Sequence, residues 1–469
     1  MTASVTATRA AERPPFTPDE ARRLLSEALA TSSAEQTLAV LEARDESLTR
    51  FANNEIHQNV TSRVHTLTVQ AVVGRRSGTA STDRLDAGAL RQVADRALAL
   101  ARLSPEDEGL PELAPPSYLS AATTADPGGG AGFVPATAAC TPEARAAAVG
   151  PLMAAAVGRG LNAAGALTTG SSTLAVANTL GQFAYHPDSH ARFTCTARSA
   201  DSSGWVDRHR RDWRALEVEA LGEVALGKAE RSRDPGEVPP GRYTVVLEPA
   251  AVADLVGFLA WLGLGAQSVQ EGRSFLSGRM GERITGAGVT LMDDAFDPRS
   301  LGRPFDHEGT PRRRMTLIEG GIARAIVHDR RTALAAGTES TGHASPPPAV
   351  EGPIPYNLVL ASGDRSLDEL IASTERGILV TRLWYNRVVD AKRTLITGMT
   401  RDGTFLIENG RLARGLRNLR FNDSVLEVLE RAEAMGREGE PTVFEYVGTC
   451  VVAPALKVRD FHFTGVTRF

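Results

Sequence analysis

The segment Val245–Ala266, VVLEPAAVADLVGFLAWLGLGA, decides how the C-terminal half of this chain is read. Val245, Val246 and Leu247 form an apolar strand end. Glu248-Pro249 then gives a helix start with proline in the first turn. From Ala250 to Ala266 the only charge is Asp254. Leu255, Phe258, Leu259 and Leu262 fall at helical spacing and make an apolar stripe. The intervening positions are Ala, Val, Gly and Trp, so the segment predicts a strand, a turn and a buried helix. It is too short, and interrupted by Asp254, for a membrane span.

Just upstream lies Ser232–Tyr243, SRDPGEVPPGRY, whose three prolines and two glycines read as a linker. It separates an N-terminal α+β half from a C-terminal half beginning near Arg242. Downstream, RMTLIEGGIARAIV (314–327), TGMTRDGTFLIENGRLA (397–413) and PALKVRDFHFTGV (454–466) alternate strand residues with glycine turns. Two helices interrupt them. SLDELIASTERG (366–377) carries a capping box, Ser366 with Glu369, and stops at Gly377. NDSVLEVLERAEAMG starts at Asn422 or Asp423 and stops at Gly436. Many strands with few helices predict a barrel-like antiparallel domain.

The N-terminal half opens with a helix at Thr17-Pro18-Asp19-Glu20, and Thr141-Pro142-Glu143 repeats the same start. TRFANNEIHQN (49–59) and LAVANTLGQFA (174–184) share an apolar-Ala-Asn core within a strand pair. Either a β-β-β-α unit is duplicated, or Ala-rich strands resemble each other by chance. The boundaries read as 1–103 and 141–233 for the two α+β regions, 104–140 for a Pro/Gly-rich connection, 234–241 for the linker and 242–469 for the strand-rich domain. The fold class is α+β.

A net charge of −4 over 469 residues, with arginines interleaved among acids, excludes the basic face of a nucleic-acid binder. Three distant cysteines, Cys140, Cys195 and Cys450, and an opening without an apolar core read as a reducing, cytoplasmic setting with no membrane segment.

No phosphate loop and no Gly-x-Ser-x-Gly elbow is present. His186 and His190 in HPDSH have ligand spacing only on a helix, and Pro187 and Ser189 make this a turn between strands. His307-Glu308 reads as a solvated turn, and His328 and His343 as structural histidines. His57 and His65 belong to alternating strands. Asp293-Asp294 fits a turn held by side-chain-to-backbone hydrogen bonds better than a cation site. Cys450 enters a strand without a basic neighbour that would make its thiol reactive. Residues alone therefore give no catalytic constellation.

An ordered series of blocks changes this reading: PPGRYTVVLEP, SFLSGRMGERI, PFDHEGTPRRRMTLIEGGIARAIVHDRRTALAAGTESTGHA, ILVTRLWYNRVVDAKRTLITGMTRDGTFLIENGRL and GTCVVAPALKVRDFHFTG. With LTRFANNEIHQN and LAVANTLGQ upstream, the series resembles the TldD/TldE (PmbA) metallopeptidase family over about residues 35–469. The resemblance implies a helix that carries His-Glu-x-x-x-His in catalytic members, with zinc held by both imidazoles and a C-terminal Cys. Anchored on Phe275–Gly278, that motif falls at Gly257–Leu262. Here the sequence is Gly-Phe-Leu-Ala-Trp-Leu, and no histidine occurs between His209 and His307. Cys450 matches the Cys position and is left without imidazole partners.

The resemblance thus implies a metal-free, TldE-like subunit with no catalytic residue, no cofactor of its own and no metal. Zinc is expected in a TldD-like partner of a heterodimer that encloses and cleaves unstructured peptide. A homodimer is possible when the chain is isolated. Gly257, Phe258, Trp261 and Leu262 are expected to line the cavity, with Cys450 facing them. A stand-alone peptide-binding or regulatory module, or a hydrolase using Cys450, is the alternative.

Overall fold

The structure, a computed structural model, describes residues 12–116 and 132–467. The middle of the Pro/Gly-rich connection lies outside the described residues. Its C-terminal end forms a short helix, Pro135–Ala138.

The N-terminal half is built around one six-stranded antiparallel sheet of order β3-β2-β1-β4-β5-β6. The strands are β1 (Gln36–Ala52), β2 (Glu55–Val73), β3 (Arg76–Thr82), β4 (Asn162–Asn178), β5 (Phe183–Arg198) and β6 (Ser203–Arg210). Helices α1 (Pro18–Thr31) and α2 (Ala87–Leu103) accompany the first three strands, and α3 (Pro142–Gly158) and α4 (Val218–Arg231) the second three. The two triplets meet at the central β1–β4 pairing, from Leu38↔Asn178 to Phe51↔Gly165.

This arrangement is a structural repeat, and two glycines mark it. A Cβ at Gly78 on β3 would lie 2.2 Å from the Ala101 nitrogen of α2, and one at Gly204 on β6 would lie 2.2 Å from the Ala225 oxygen of α4. In both units the outer strand lets its helix approach at backbone contact, which only glycine allows. The two Asn-containing motifs also occupy equivalent places. Asn53 and Asn54, both at positive φ, turn β1 into β2. Asn178 turns β4 into β5, its Oδ1 accepting from the Leu180 nitrogen at 2.9 Å.

Strand alternation divides the sheet into two faces. Ala39, Leu41 and Phe51 of β1 and Phe193, Cys195 and Ala197 of β5 face the helices and fill two apolar clusters. Leu38, Val40, Leu174, Val176 and Ala184 point the other way, where Phe305 of the C-terminal half packs on them. The even-numbered residues further along β1 and β5 share this second face. Among them Glu42, Arg44 and Glu46 of β1 and His186, Asp188, His190 and Arg192 of β5 are charged or polar.

In the C-terminal half, β7 (Gly241–Leu247), β12 (Arg376–Asp390), β13 (Leu395–Glu408), β15 (Leu419–Ser424) and β19 (Leu456–Val466) pair in the order β12-β7-β19-β15-β13. The additional β12–β13 pairing closes this path into a five-stranded barrel. A second sheet has the order β10-β9-β8-β11-β18-β17. Its strands are β8 (Leu291–Asp293), β9 (Met315–Glu319), β10 (Ile322–Ala323), β11 (Asn357–Leu360), β17 (Glu440–Phe444) and β18 (Thr449–Ala453).

Helix α5 (Pro249–Gly263) lies between barrel and sheet. Its Leu255, Phe258, Leu259 and Leu262 join Val245, Val380, Phe421 and Phe461 from the barrel side and Leu291, Leu358 and Val451 from the sheet side in one core. The strand–turn–buried-helix reading of Val245–Ala266 holds.

Three local expectations are corrected. The domain is not wholly antiparallel, because β7–β12 and β11–β18 pair parallel. Such pairs need long crossovers, and α5 belongs to the first of them. Residues 422–436 are not one helix. They complete β15, make a short helix at Val425–Glu430 capped by Ser424, and end in strand β16 (Ala432–Met435) paired with β19. The alternation of Leu419 and Phe421 into the barrel core overrides the Asn-Asp cap signal. The helix after Ser366 keeps its capping box but stops at Ala372, and Gly377 lies inside β12. Among the described residues, no helix is long and apolar enough to cross a membrane.

Candidate functional site: a polar trough between the two halves

The polar face of the N-terminal sheet opposes the C-terminal half across a trough of three adjoining cavities, about 550, 680 and 350 Å³. Val443 of β17 lines all three, and Arg192 joins the first two. The face is supplied by period-2 alternation. Glu42, Arg44 and Glu46 come from β1, Asp188, His190 and Arg192 from β5, and Asp207 and His209 from β6. HPDSH is therefore not a turn. It is the middle of β5, and alternation puts His186, Asp188 and His190 on the trough side together.

These groups are largely paired. His190 Nε2 contacts Glu46 at 3.2 Å, and Asp188 is ion-paired with Arg211. The His190 hydrogen bond, set against burial, holds the Glu46 carboxyl down at about 2. His186 is buried, with both ring nitrogens unpartnered among the described residues. Burial first, then the Arg211 and Arg303 charges, push its pKa down to about 3, so it is neutral.

The 550 Å³ chamber lies beside α5. There Arg192 grips Asp207 through two parallel bonds of 3.0 and 2.8 Å. Burial works to raise the Asp207 carboxyl, but His209 and Arg192 outweigh it and hold it well below the usual range. The Arg382 guanidinium stacks between Trp205 (4.3 Å) and Trp384 (4.9 Å) and pairs with Asp402. Strand β12 bulges after Trp384, where Tyr385 sits at φ 55°. Bulges of this kind re-aim side chains beside functional clefts.

From α5 the chamber receives Ala250 and Asp254, two turns and one turn before the Gly257-Phe258 pair expected there. Asp254 is partly buried and lines the chamber. Burial raises its pKa to about 7, against the opposing pull of Arg382 and the Leu383 amide.

The four positions on α5 singled out by sequence have different fates. Phe258 and Leu262 are core residues. Gly257 is buried against Phe444, where a Cβ would come within 2.3 Å of the ring. Trp261 is 40% exposed and stacks on Tyr446 at 5.2 Å. Phe258, Trp261, Phe444 and Tyr446 form one aromatic cluster. Positions 257, 258 and 262 offer no nitrogen, oxygen or sulfur donor, and Phe444 fills the space in front of Gly257. The residues present do not fit zinc.

Cys450 does not face them. On β18 it alternates with Val451, which enters the α5 core, so Cys450 lies on the opposite side of the sheet. It lines the 350 Å³ cavity with Val443, its strand partner. Burial pushes its thiol up, and its nearest polar neighbours are Ser300 and the Leu301 backbone. That environment does not make a nucleophile.

The histidine readings divide. His343 is a buried structural residue, bonded to Asp293 at 2.9 Å and Thr341 at 2.9 Å. His307 is not a solvated turn. It is buried, with Nε2 3.3 Å from Glu42 across the trough. Asp294 caps its own turn by accepting from the Phe296 nitrogen at 3.0 Å, as read from sequence. The residues that sequence reading missed are Arg192, Asp207, Asp254 and Arg382. Their signals were polar alternation in β5 and β6 and the lone acid of an apolar helix.

Comparison with known proteins fits this geometry. The PmbA/TldA metallopeptidase C-terminal domain matches residues 240–465, and domain 1 of the same family matches residues 39–101. A metalloprotease of Methanothermobacter thermautotrophicus is 28% identical over 230 residues, 47% of this chain and 49% of the relative. A metalloprotease of Methanocaldococcus jannaschii is 27% identical over 208 residues, 44% and 46% of the two chains. The chain thus spans about half the length of the curated relatives it matches. The fold is that of TldE from Thermococcus kodakarensis, with a TM-score of 0.84 at 21% identity over 95% of this chain and 99% of that one. With both domain matches in order, the chain belongs to the PmbA/TldD metallopeptidase family.

Proposed function

We propose that this chain is the non-catalytic, peptide-holding subunit of a TldD/TldE-type heterodimeric metallopeptidase. The observation that carries the reading is the aromatic filling at Gly257. Where the family resemblance puts the first zinc imidazole, Phe444 leaves no room for a side chain. A polar trough alongside is nonetheless retained.

Two features support the holding role. Strand β17 ends its sheet with no strand paired on its outer edge among the described residues, as a peptide adding a strand requires, and its Thr442 and Val443 line the chamber. Partly exposed Trp261 and Tyr446 continue through Arg387 to exposed Tyr385, with Trp384 beside it. Such an aromatic-arginine patch suits a protein partner.

Co-expression with a TldD-like chain bearing His-Glu-x-x-x-His tests the reading. A stable complex is expected, with zinc confined to the partner and peptide cleavage requiring both chains. Stoichiometric zinc in this chain alone, cleavage by it alone, or failure to form a complex each overturns the proposal. A second reading, a stand-alone peptide-binding module, is favoured by a trough built wholly within one chain. It predicts peptide binding without any complex.

A further inference from the structure

The 350 Å³ cavity holds a buried arginine and an amide whose N–H groups the described residues leave unmatched. Arg312 lines it and is only 7% exposed, yet its Nε and Nη1 have no hydrogen-bond partner among the described residues. Its guanidinium carbon lies 5.4 Å from the Tyr356 ring centre. Asn357 also lines the cavity, 3% exposed, with its Nδ2 unpartnered. Arg303 is a third lining donor.

The neighbouring carboxylates are engaged elsewhere. Asp293 accepts from His343 (2.9 Å) and the Asn357 nitrogen (2.9 Å). Asp306 accepts from the backbone nitrogens of Glu308, Thr310 and Ala344 at 2.8–2.9 Å. Glu42 meets His307, and Asp188 pairs with Arg211. Their field keeps the Arg312 charge in place without satisfying its N–H groups. Buried cations and amide donors are normally paired, and a set of unpaired donors around one cavity marks a place for an acceptor from outside.

We propose that this cavity is a carboxylate subsite, in which Arg312, assisted by Arg303 and the Asn357 amide, grips the C-terminal carboxylate of a bound peptide. The identity of the occupant rests on the peptide-holding reading, whereas the oxyanion chemistry does not. Val443 connects the cavity to the rest of the trough, so a peptide paired along β17 has a path into it. The volume is at the small end for ligand cavities and suits a chain end. A planar guanidinium binds carboxylate through paired N–H bonds, which a carboxamide cannot match in charge.

The test is binding of one unstructured peptide to the full chain, as free acid and as C-terminal amide, with inorganic phosphate as a small-anion probe. The free acid should bind about 10- to 100-fold tighter, the worth of a charge-assisted bond to a buried group. Phosphate should compete with it. Arg312→Gln should abolish the acid–amide difference, and Arg312→Lys should restore part of it. Equal affinity of acid and amide in the unaltered chain overturns the subsite, as does an acid preference that survives Arg312→Gln. Binding of neither peptide nor phosphate also overturns it. Phosphate binding that depends on Arg312 with no peptide binding keeps the oxyanion site and removes the peptide reading. If Arg312→Gln does not fold, the acid–amide comparison and Arg303→Gln, which should narrow the difference, decide.

Discussion

Asp254 is the lone charge on a helix that is otherwise apolar and largely buried, and replacing it with Asn should make stability respond differently to pH. Its pKa rises from 3.8 to about 7 because burial disfavours the ionised form. From about pH 4 to 7 the unfolded chain has lost this proton while the folded chain keeps it. Stability therefore falls as pH rises through that window, and the loss is complete above pH 7. The full rise corresponds to about 4 kcal/mol. Contact with solvent through the chamber reduces this to about 2–3 kcal/mol. Asn keeps an oxygen for the Leu383 amide and never ionises.

Asp254→Asn should therefore be more stable than the parent by about 2–3 kcal/mol at pH 8, with the two converging towards pH 4. Urea unfolding followed by tryptophan fluorescence across pH 4.5–8.5 measures this, and the difference between the two proteins isolates one carboxyl from other buried acids such as Glu308. A difference that does not change with pH refutes the reasoning, because it would mean that Asp254 is ionised in the folded chamber.

Gly257→Ala sets a helix-propensity gain of about 1 kcal/mol against an overpacking cost of about 1–3 kcal/mol, since the new Cβ would meet Phe444 at 2.3 Å. We expect net destabilisation in denaturant unfolding, relieved in the Gly257→Ala/Phe444→Leu double variant relative to Phe444→Leu. A stabilised single variant contradicts the packing account. His186 should show no imidazole titration by NMR until about pH 3. Because its folded pKa lies below the unfolded value, it costs stability as pH falls below about 6.5. His186→Gln should flatten that acid limb, and a native titration near 6.5 would show that the ring is not buried as described.

Much of this molecule was legible in its sequence wherever the signal is local. The capping boxes Thr17/Glu20 and Ser366/Glu369 form as read, because a cap is decided within four residues. The apolar run after Pro249 reads as a largely buried helix, since almost every residue in it is apolar. The paired Ala-Asn motifs left a repeat or a chance likeness open, and the matched halves of the sheet decide for the repeat. Local signals failed at residues 422–436, where a polar Asn-Asp pair resembles a helix cap but belongs to a barrel strand.

The sequence by itself thus determined the apolar helix without side-chain donors at 257, 258 and 262, and left the repeat as one of two readings. Only tertiary structure decided which faces meet. The polar face of β5 becomes a trough wall because the barrel half packs across it. Asp254 reaches the chamber while Phe258 does not, and Cys450 turns away from α5. The strand cases depend on one-residue alternation, and the helix case on what packs against each turn of α5 from distant parts of the chain. Periodicity shows that a strand has two faces, but only the packed fold says what each face meets.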